Sequence, residues 1–167
     1  MKSCPFCDIV ARKTEASVVF ETAEPAWAIA AELGTRLKTT PGVALLIDYG
    51  HADSAVGETL QAVRAHRYAP VLADPGEADL TAHVDFAALG RALADAGAAI
   101  HGPTTQGRFL ADNGAVLRVE TLARGKDADQ AAQLRRGVRR LLDPGGMGRL
   151  FKVLGATSPT LPRPPGF

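Results

Sequence analysis

The amino-acid sequence predicts a single α/β domain, and three observations carry that expectation. Trp27, Ile29, Ala30, Leu33 and Leu37 recur at helical spacing after a Glu24-Pro25 start and stop at Thr39-Thr40-Pro41-Gly42. The run Val43 to His51, VALLIDYGH, follows at once; it is uninterrupted apolar sequence through Ile47 and then turns polar. A second helical pattern, with Phe86, Leu89 and Leu93 on one face, starts after Asp85 and leads into the short strand pattern Ala98 to His101. A helix feeding a fully apolar strand is half of a parallel α/β unit. A chain of 167 residues is long enough to bury a core without disulfides.

The remaining elements follow from local chemistry. Ser17 to Thr22 is β-branched and reads as a short strand. Past the loop from His51 to Gly57, Thr59 to His66 is expected to be extended, with Leu60, Ala62 and Ala65 only imperfectly on one face. Asp74-Pro75-Gly76-Glu77 is a turn, because proline presets φ and glycine accepts φ > 0. Ala78 to Val84 is strand-like, and Asp85 is suited to cap a helix over Phe86 to Ala96 that Gly97 ends. The strand Ala98 to His101 is expected to stop at Gly102-Pro103, and Thr104 or Thr105 then caps a helix through Leu110, with Asn113-Gly114 as its stop. Leu117 to Leu122 and Ala128 to Leu142 are helical, the second placing Arg135, Arg136, Arg139 and Arg140 on a solvated face. Met147 to Ala156 reads as a closing strand from which Lys152 points to solvent, and Pro159 to Phe167 is too proline-rich for regular structure.

Composition narrows the partners. A formal charge of +1 provides no broad basic field, so neither nucleic acid nor an anionic lipid surface is expected. The longest apolar stretch, Val43 to Ile47, is far shorter than the roughly 20 residues that span a bilayer. With no signal-type h-region behind Met1-Lys2-Ser3, a soluble, cytoplasmic protein is expected. Cys4 and Cys7, in Cys-Pro-Phe-Cys, could be half a zinc site, a redox pair or two inert thiols. No second Cys-x-x-Cys or His-x-x-x-His completes a tetrahedral set, so no metal is expected, with Cys4 and Cys7 as the weak candidates.

Candidate site residues cluster where the apolar strand turns polar. Asp48, Tyr49, Gly50 and His51 would stand at the carboxyl edge of a sheet, where open α/β folds bind ligands. Asp79, Thr81, His83 and Asp85 could line the same cleft, the two carboxylates being suited to a guanidinium. Gln106 and Arg108 read equally as helix-start residues near that edge and as surface residues; no catalytic residue is assigned.

The pieces LLIDYGH (45–51), TLQAVRAHR (59–67), DPGEADLTAHVDFAAL (74–89), GPTTQGRFL (102–110), MGRLFKVLG (147–155) and LPRPPGF (161–167) together resemble the carboxyl-terminal half of the MidA family. This is a family of S-adenosylmethionine-dependent methyltransferases that includes a mitochondrial protein arginine methyltransferase serving respiratory complex I assembly. The resemblance runs from about residue 26 to 167. It implies a partial Rossmann-like class I methyltransferase sheet containing the later strands and helices only, with S-adenosylmethionine as cofactor and an arginine side chain of a protein as substrate. It also implies a gap: the family's Gly-rich turn, its acidic ribose-binding residue and its Asn-Glu-Phe-type segment have no counterpart before residue 42. Removal of those strands exposes a sheet edge, so a complementing chain or self-association is expected.

CPFCDIVARKTEASVVFETAEPAWAI (4–29) resembles the opening of a histidine triad (HIT) protein, which divides the chain into a HIT-like segment, 1–24, and a MidA-type portion, 25–167. His51, His66, His83 and His101 stand apart in the sequence, so the adjacent histidines that HIT catalysis needs are missing. The alternatives to an enzyme are a non-catalytic fragment or interaction module, and a HIT-like nucleotide-binding or zinc-bearing protein.

Overall fold

The computed structural model describes residues 21–74 and 76–167, so the expected strand at Ser17 to Thr22, all but its last two residues, Cys4 and Cys7, and Pro75 lie outside the described residues. The α/β class holds, in the form of a mixed sheet with helices against it. Helix α1 spans Glu24–Thr39, with Pro25 in its first turn, where a missing N–H costs nothing. Strand β1, Val43–His51, follows as expected. Helix α2, Phe86–Asp95, begins at the Asp85 cap, whose carboxylate accepts from Ala88 N at 2.9 Å. It ends at Gly97, whose φ of 106° is ready for glycine and strained for other residues.

The sheet order is β5-β1-β7-β6, where β5 is Val84–Asp85, β6 is Ala99–Thr105 and β7 is Phe151–Thr157. The parallel unit expected of the helix-strand pair is realised over only two residue pairs, Gly50 with Val84 and His51 with Asp85. The long partner of β1 is the antiparallel β7, from Val43 opposite Thr157 to Tyr49 opposite Phe151. Facing residues share a side of a pleated sheet. Ala44, Leu46, Leu154 and Ala156 therefore turn to α1 and α2 and join Leu37, Phe86, Leu89 and Leu93 in the core. At the crossing of the two helices Gly34 lies so near α2 that a Cβ would stand 2.6 Å from the Leu93 carbonyl oxygen.

Four expectations need correction. The strand at Thr59 to His66 is shorter: β2 is Gln61–Arg64, and Ala65 and His66, at φ 48° and 62°, form a two-residue turn into β3, Arg67–Ala69. The stretch Ala78 to Val84 divides, since β4, Asp79–Thr81, joins β2 and β3 in a separate three-stranded sheet while β5 joins β1. Strand β6 does not stop at Gly102-Pro103 but runs on to Thr105 across a bulge between His101 and Thr104; an edge strand with a bulge accommodates a proline that cannot donate. Met147–Leu150 is one helical turn, α6, before β7, and Gly148 lets it press against the Leu142 carbonyl, where a Cβ would collide.

The other helices fall where expected: α3 (Gln106–Asp112) under a Thr105 cap, α4 (Ala115–Ala123) and α5 (Ala128–Leu142) under an Asp127 cap. The C-terminal residues return over the sheet, the Phe167 ring lying 6.1 Å from His101 and 5.2 Å from Phe109.

Candidate functional site

At the carboxyl end of β1 the parallel joint with β5 brings together residues far apart in the sequence. Gly50 makes this joint possible, because a Cβ there would collide with the Val84 carbonyl. Beside the joint is a cavity of about 340 Å³, walled by Trp27, Val56 and Leu89 and by the polar groups of Glu21, His51, Thr59, His83 and Asp85.

Glu21 organises one wall. Its Oε1 accepts from Thr59 N at 2.7 Å and Leu60 N at 2.9 Å, and its Oε2 accepts a hydrogen bond from the Thr59 hydroxyl. The Thr59 hydroxyl oxygen in turn accepts from His83 N at 2.8 Å, so Glu21, Thr59 and His83 form one connected chain. Burial alone would raise the Glu21 carboxyl, but hydrogen bonds from Thr59 and Leu60 and the charge of His51 outweigh it and hold the group below the ordinary carboxylate range. Asp85 follows the same pattern: burial is outweighed by hydrogen bonds from Ser54 and Ala88 N and by the charges of His51 and Arg91. Two carboxylates held below their ordinary range thus share one cavity with His51, His83 and Trp27.

Of the candidates expected from sequence, His51, His83 and Asp85 line this cavity; Asp48, Tyr49, Gly50, Asp79 and Thr81 do not. Tyr49 is one step removed, its ring 5.7 Å from both His83 and Phe151 in edge geometry. Asp48 is exposed and accepts from Tyr49 N at 2.8 Å. Asp79 and Thr81 sit on β4, opposite Val63 and Gln61, so the expected Asp79–Asp85 clamp on a guanidinium is not assembled. The histidines that stand apart in the sequence do not all stand apart in space: the rings of His51 and His83 are 6.5 Å from each other. Gln61 Nε2 lies 3.3 Å from His83 Nε2.

Other polar candidates serve the fold. Gln106 is buried and donates to the Leu141 carbonyl at 3.1 Å, tying α3 to α5, and Arg108 pairs with Asp112 on the surface. Lys152 is half-buried rather than turned simply to solvent; its Nζ donates to the Arg149 and Leu150 carbonyls at 2.7 and 3.2 Å, capping α6 with a cation. Burial and then the charge of Arg149 hold it below lysine's ordinary value. Glu21, Trp27 and Thr59 escaped the reading of the sequence because each is ordinary in its local pattern and becomes part of the site only through tertiary contact. Among the described residues no group of three or more His, Cys, Asp or Glu side chains could hold a metal ion.

A cavity at the carboxyl end of a strand in a mixed sheet stands where open α/β folds bind ligands, so the class is an α/β domain with a candidate ligand site. Comparison with known proteins narrows the class. A family model described as "Putative S-adenosyl-L-methionine-dependent methyltransferase" matches residues 6–104, and the chain belongs to that family, in agreement with the MidA resemblance. The chain is 37% identical over 133 residues to the mitochondrial protein arginine methyltransferase NDUFAF7 of Xenopus laevis, covering 79% of this chain and 30% of that protein. For the Rattus norvegicus protein of the same name the figures are 39% over 132 residues, 78% and 30%. Two solved structures from Burkholderia thailandensis, both of one superfamily, share the fold. The first, a native structure of an uncharacterised protein, has a TM-score of 0.75 at 28% identity over 93% of this chain and 44% of that one. The second, bound to S-adenosyl-homocysteine, has a TM-score of 0.71 at 27% identity over 94% and 42%. The chain thus spans about a third of the curated relatives it matches. The expected cytoplasmic location is corrected by the same comparison, since the frog, rat and human relatives are mitochondrial by name. No helix among the described residues is long and apolar enough to cross a membrane.

Proposed function

We propose that this chain forms the substrate-side portion of an S-adenosylmethionine-dependent methyltransferase acting on an arginine side chain of a protein, linked to respiratory complex I assembly as the MidA resemblance implies. The observation that carries the reading is the cavity in which Glu21 and Asp85, both held ionised, face His51, His83 and Trp27. In this reading residues 25–167 are the main methyltransferase portion, and the segment 1–24, although HIT-like in sequence, is not separate from it, since Glu21 joins the cavity and the family match begins at residue 6. His51, His83 and Asp85 meet the substrate, Tyr49 and Gly50 support them, and Asp48, Asp79 and Thr81 are peripheral.

The residues present do not make a cofactor pocket by themselves. Neither β1 nor β6 leads into a helix through a Gly-x-Gly turn, the backbone that such a pocket needs to approach its ligand, and the Asp85 carboxylate is committed to capping α2. What the chain supplies is recognition. A guanidinium entering the cavity lies against the Trp27 face and between two negative charges. The ring nitrogens of His51 and His83 line the same cavity, where either could exchange a proton with a guanidinium nitrogen that forms a new bond to carbon. Positioning carries most of the rate in such a transfer, which is why the Glu21–Thr59–His83 chain matters.

The test is an NMR titration of the purified chain with an arginine-containing peptide and its citrulline counterpart. The expected result is movement of the His51 and His83 imidazole signals by the arginine peptide only, weakened in Glu21→Gln. Equal response to both peptides, or none, would refute the reading.

A further inference from the structure

His83 stands where the chain crosses from the small sheet to the main one, between β4, Asp79–Thr81, and β5, Val84–Asp85. Residues of both sheets hold its ring. The Tyr49 ring on β1 meets the imidazole in edge geometry with centroids 5.7 Å apart. From β2, where Gln61 faces Thr81 of β4, the Gln61 amide places its Nε2 3.3 Å from the ring Nε2. The His83 backbone is fixed as well, its N donating to the Thr59 hydroxyl at 2.8 Å. Gln61 does not line the cavity; it touches a residue that does.

The polarity of the Gln61 contact decides where His83 carries its hydrogen. An amide nitrogen has two hydrogens and no accepting lone pair, so it can only donate. His83 Nε2 is then the acceptor and turns a lone pair to Gln61. In a neutral imidazole one nitrogen accepts and the other bears the hydrogen, and the bond made by one settles the state of the other. The hydrogen of neutral His83 therefore sits on Nδ1, although an unconstrained histidine ring favours it on Nε2. The basic nitrogen of this ring is already occupied, and the nitrogen that remains is a donor. A guanidinium has donors alone, so it finds no proton acceptor in His83.

We propose that Gln61 is a positioning residue that holds neutral His83 in the Nδ1–H form, which leaves His51 as the imidazole that exchanges a proton with a guanidinium in the cavity. The two histidines share the cavity by position and differ in role: His51 accepts and His83 donates. The proposal deepens the methyltransferase reading and rests on it for the guanidinium, but not for the state of the His83 ring.

The test is long-range proton–nitrogen NMR of the purified full chain carrying isotope-labelled histidine, at about pH 8.5, roughly two units above histidine's ordinary pKa. Signals that vanish in His83→Gln identify the ring. The expected result for the parent chain is a lone-pair-type Nε2 and a hydrogen-bearing Nδ1. Gln61→Glu keeps the length and shape of the side chain but puts accepting oxygens in place of the donor, so the two nitrogen signals should exchange places. Gln61→Ala removes the donor and should move them in the same direction, toward the form that free histidine favours. A role that is only structural would leave the Gln61→Glu signature as it is in the parent. Circular dichroism checks that both variants fold, and the parent signature is decisive without them. A hydrogen on Nε2 in the parent, or nitrogen signals that keep their order in both folded variants, would overturn the proposal. On addition of the arginine peptide, the lone-pair-type nitrogen that responds should belong to His51; a response at His83 Nε2 instead would also overturn it. No response from either ring, with the His83 signature as expected, would refute the substrate reading alone.

Discussion

Replacing Asp85 separates two roles that one carboxylate fills, and the structure says how much each is worth. Asp85 accepts from Ala88 N at 2.9 Å at the start of α2, and the residue directly after it, Phe86, is fully buried. Loss of an N-cap acceptor costs about 1 kcal/mol, with a range of roughly 0.5–2. Asp85→Ala belongs in the upper half of that range, because fraying of the first turn would disturb Phe86 in the core. Asp85→Asn keeps a capping oxygen and loses only the charge opposite His51 and Arg91, so its cost is a few tenths of a kcal/mol. The pH dependence has a definite sign. The folded-state pKa is lowered, so the charge-dependent part of the stabilisation is fully present above the unfolded carboxylate range and is lost as pH falls through the folded value. Urea denaturation followed by circular dichroism at neutral pH and near pH 3 measures all of this. The expected order at neutral pH is parent, then Asp85→Asn, then Asp85→Ala, and the gap between parent and Asp85→Asn should close in acid. Equal midpoints for Asp85→Ala and the parent at neutral pH, or a gap to Asp85→Asn that widens in acid, would refute the reasoning.

The remaining predictions concern the core, the helix crossing and a buried imidazole. Leu93→Ala empties a fully buried position between α2 and the sheet and should cost about 3 kcal/mol in urea denaturation. Gly34→Val forces α1 away from the Leu93 carbonyl and the Ala96 side chain; a loss of about 2 kcal/mol or more is expected, visible as a lowered thermal midpoint. His101 bonds to the Thr157 hydroxyl at 3.0 Å, and burial and then the charge of Arg163 hold its pKa below the ordinary histidine value. A lowered imidazole pKa favours the neutral form in the fold, so its contribution is present above the unfolded value and lost as pH falls through the folded one. Thermal midpoints between pH 8 and 5 should therefore decline less in His101→Gln than in the parent chain.

Much of the fold was legible because its signals are local. The bounds of α1, β1 and α5 and the caps Asp85 and Thr105 follow from helical spacing, an apolar run and side chains that satisfy orphan amides within a few residues. The misreadings share a cause. Ala65 and His66 carry no glycine or asparagine to announce a left-handed turn, and Pro103 announces a stop that an edge strand does not need. The candidate site was half legible. The polar end of VALLIDYGH pointed to the sheet edge beside the cavity and included His51, but the pattern could not show that Gly50 serves a backbone contact or that Asp79 belongs to a different sheet.

The residues in their order were enough to set where helices and strands form, which caps hold them, and which family the chain resembles, because those depend on neighbours a few positions away. Tertiary structure decided which strands pair and which side chains meet. Glu21 reaches Thr59, His51 reaches His83, and β1 meets β5 and β7 only because the chain folds back over separations that no local pattern encodes. That His51 at the end of VALLIDYGH lines one cavity with Glu21, Thr59 and Asp85 belongs to that second kind of information. Pairing and burial are properties of surfaces brought together, and the sequence lists only their parts.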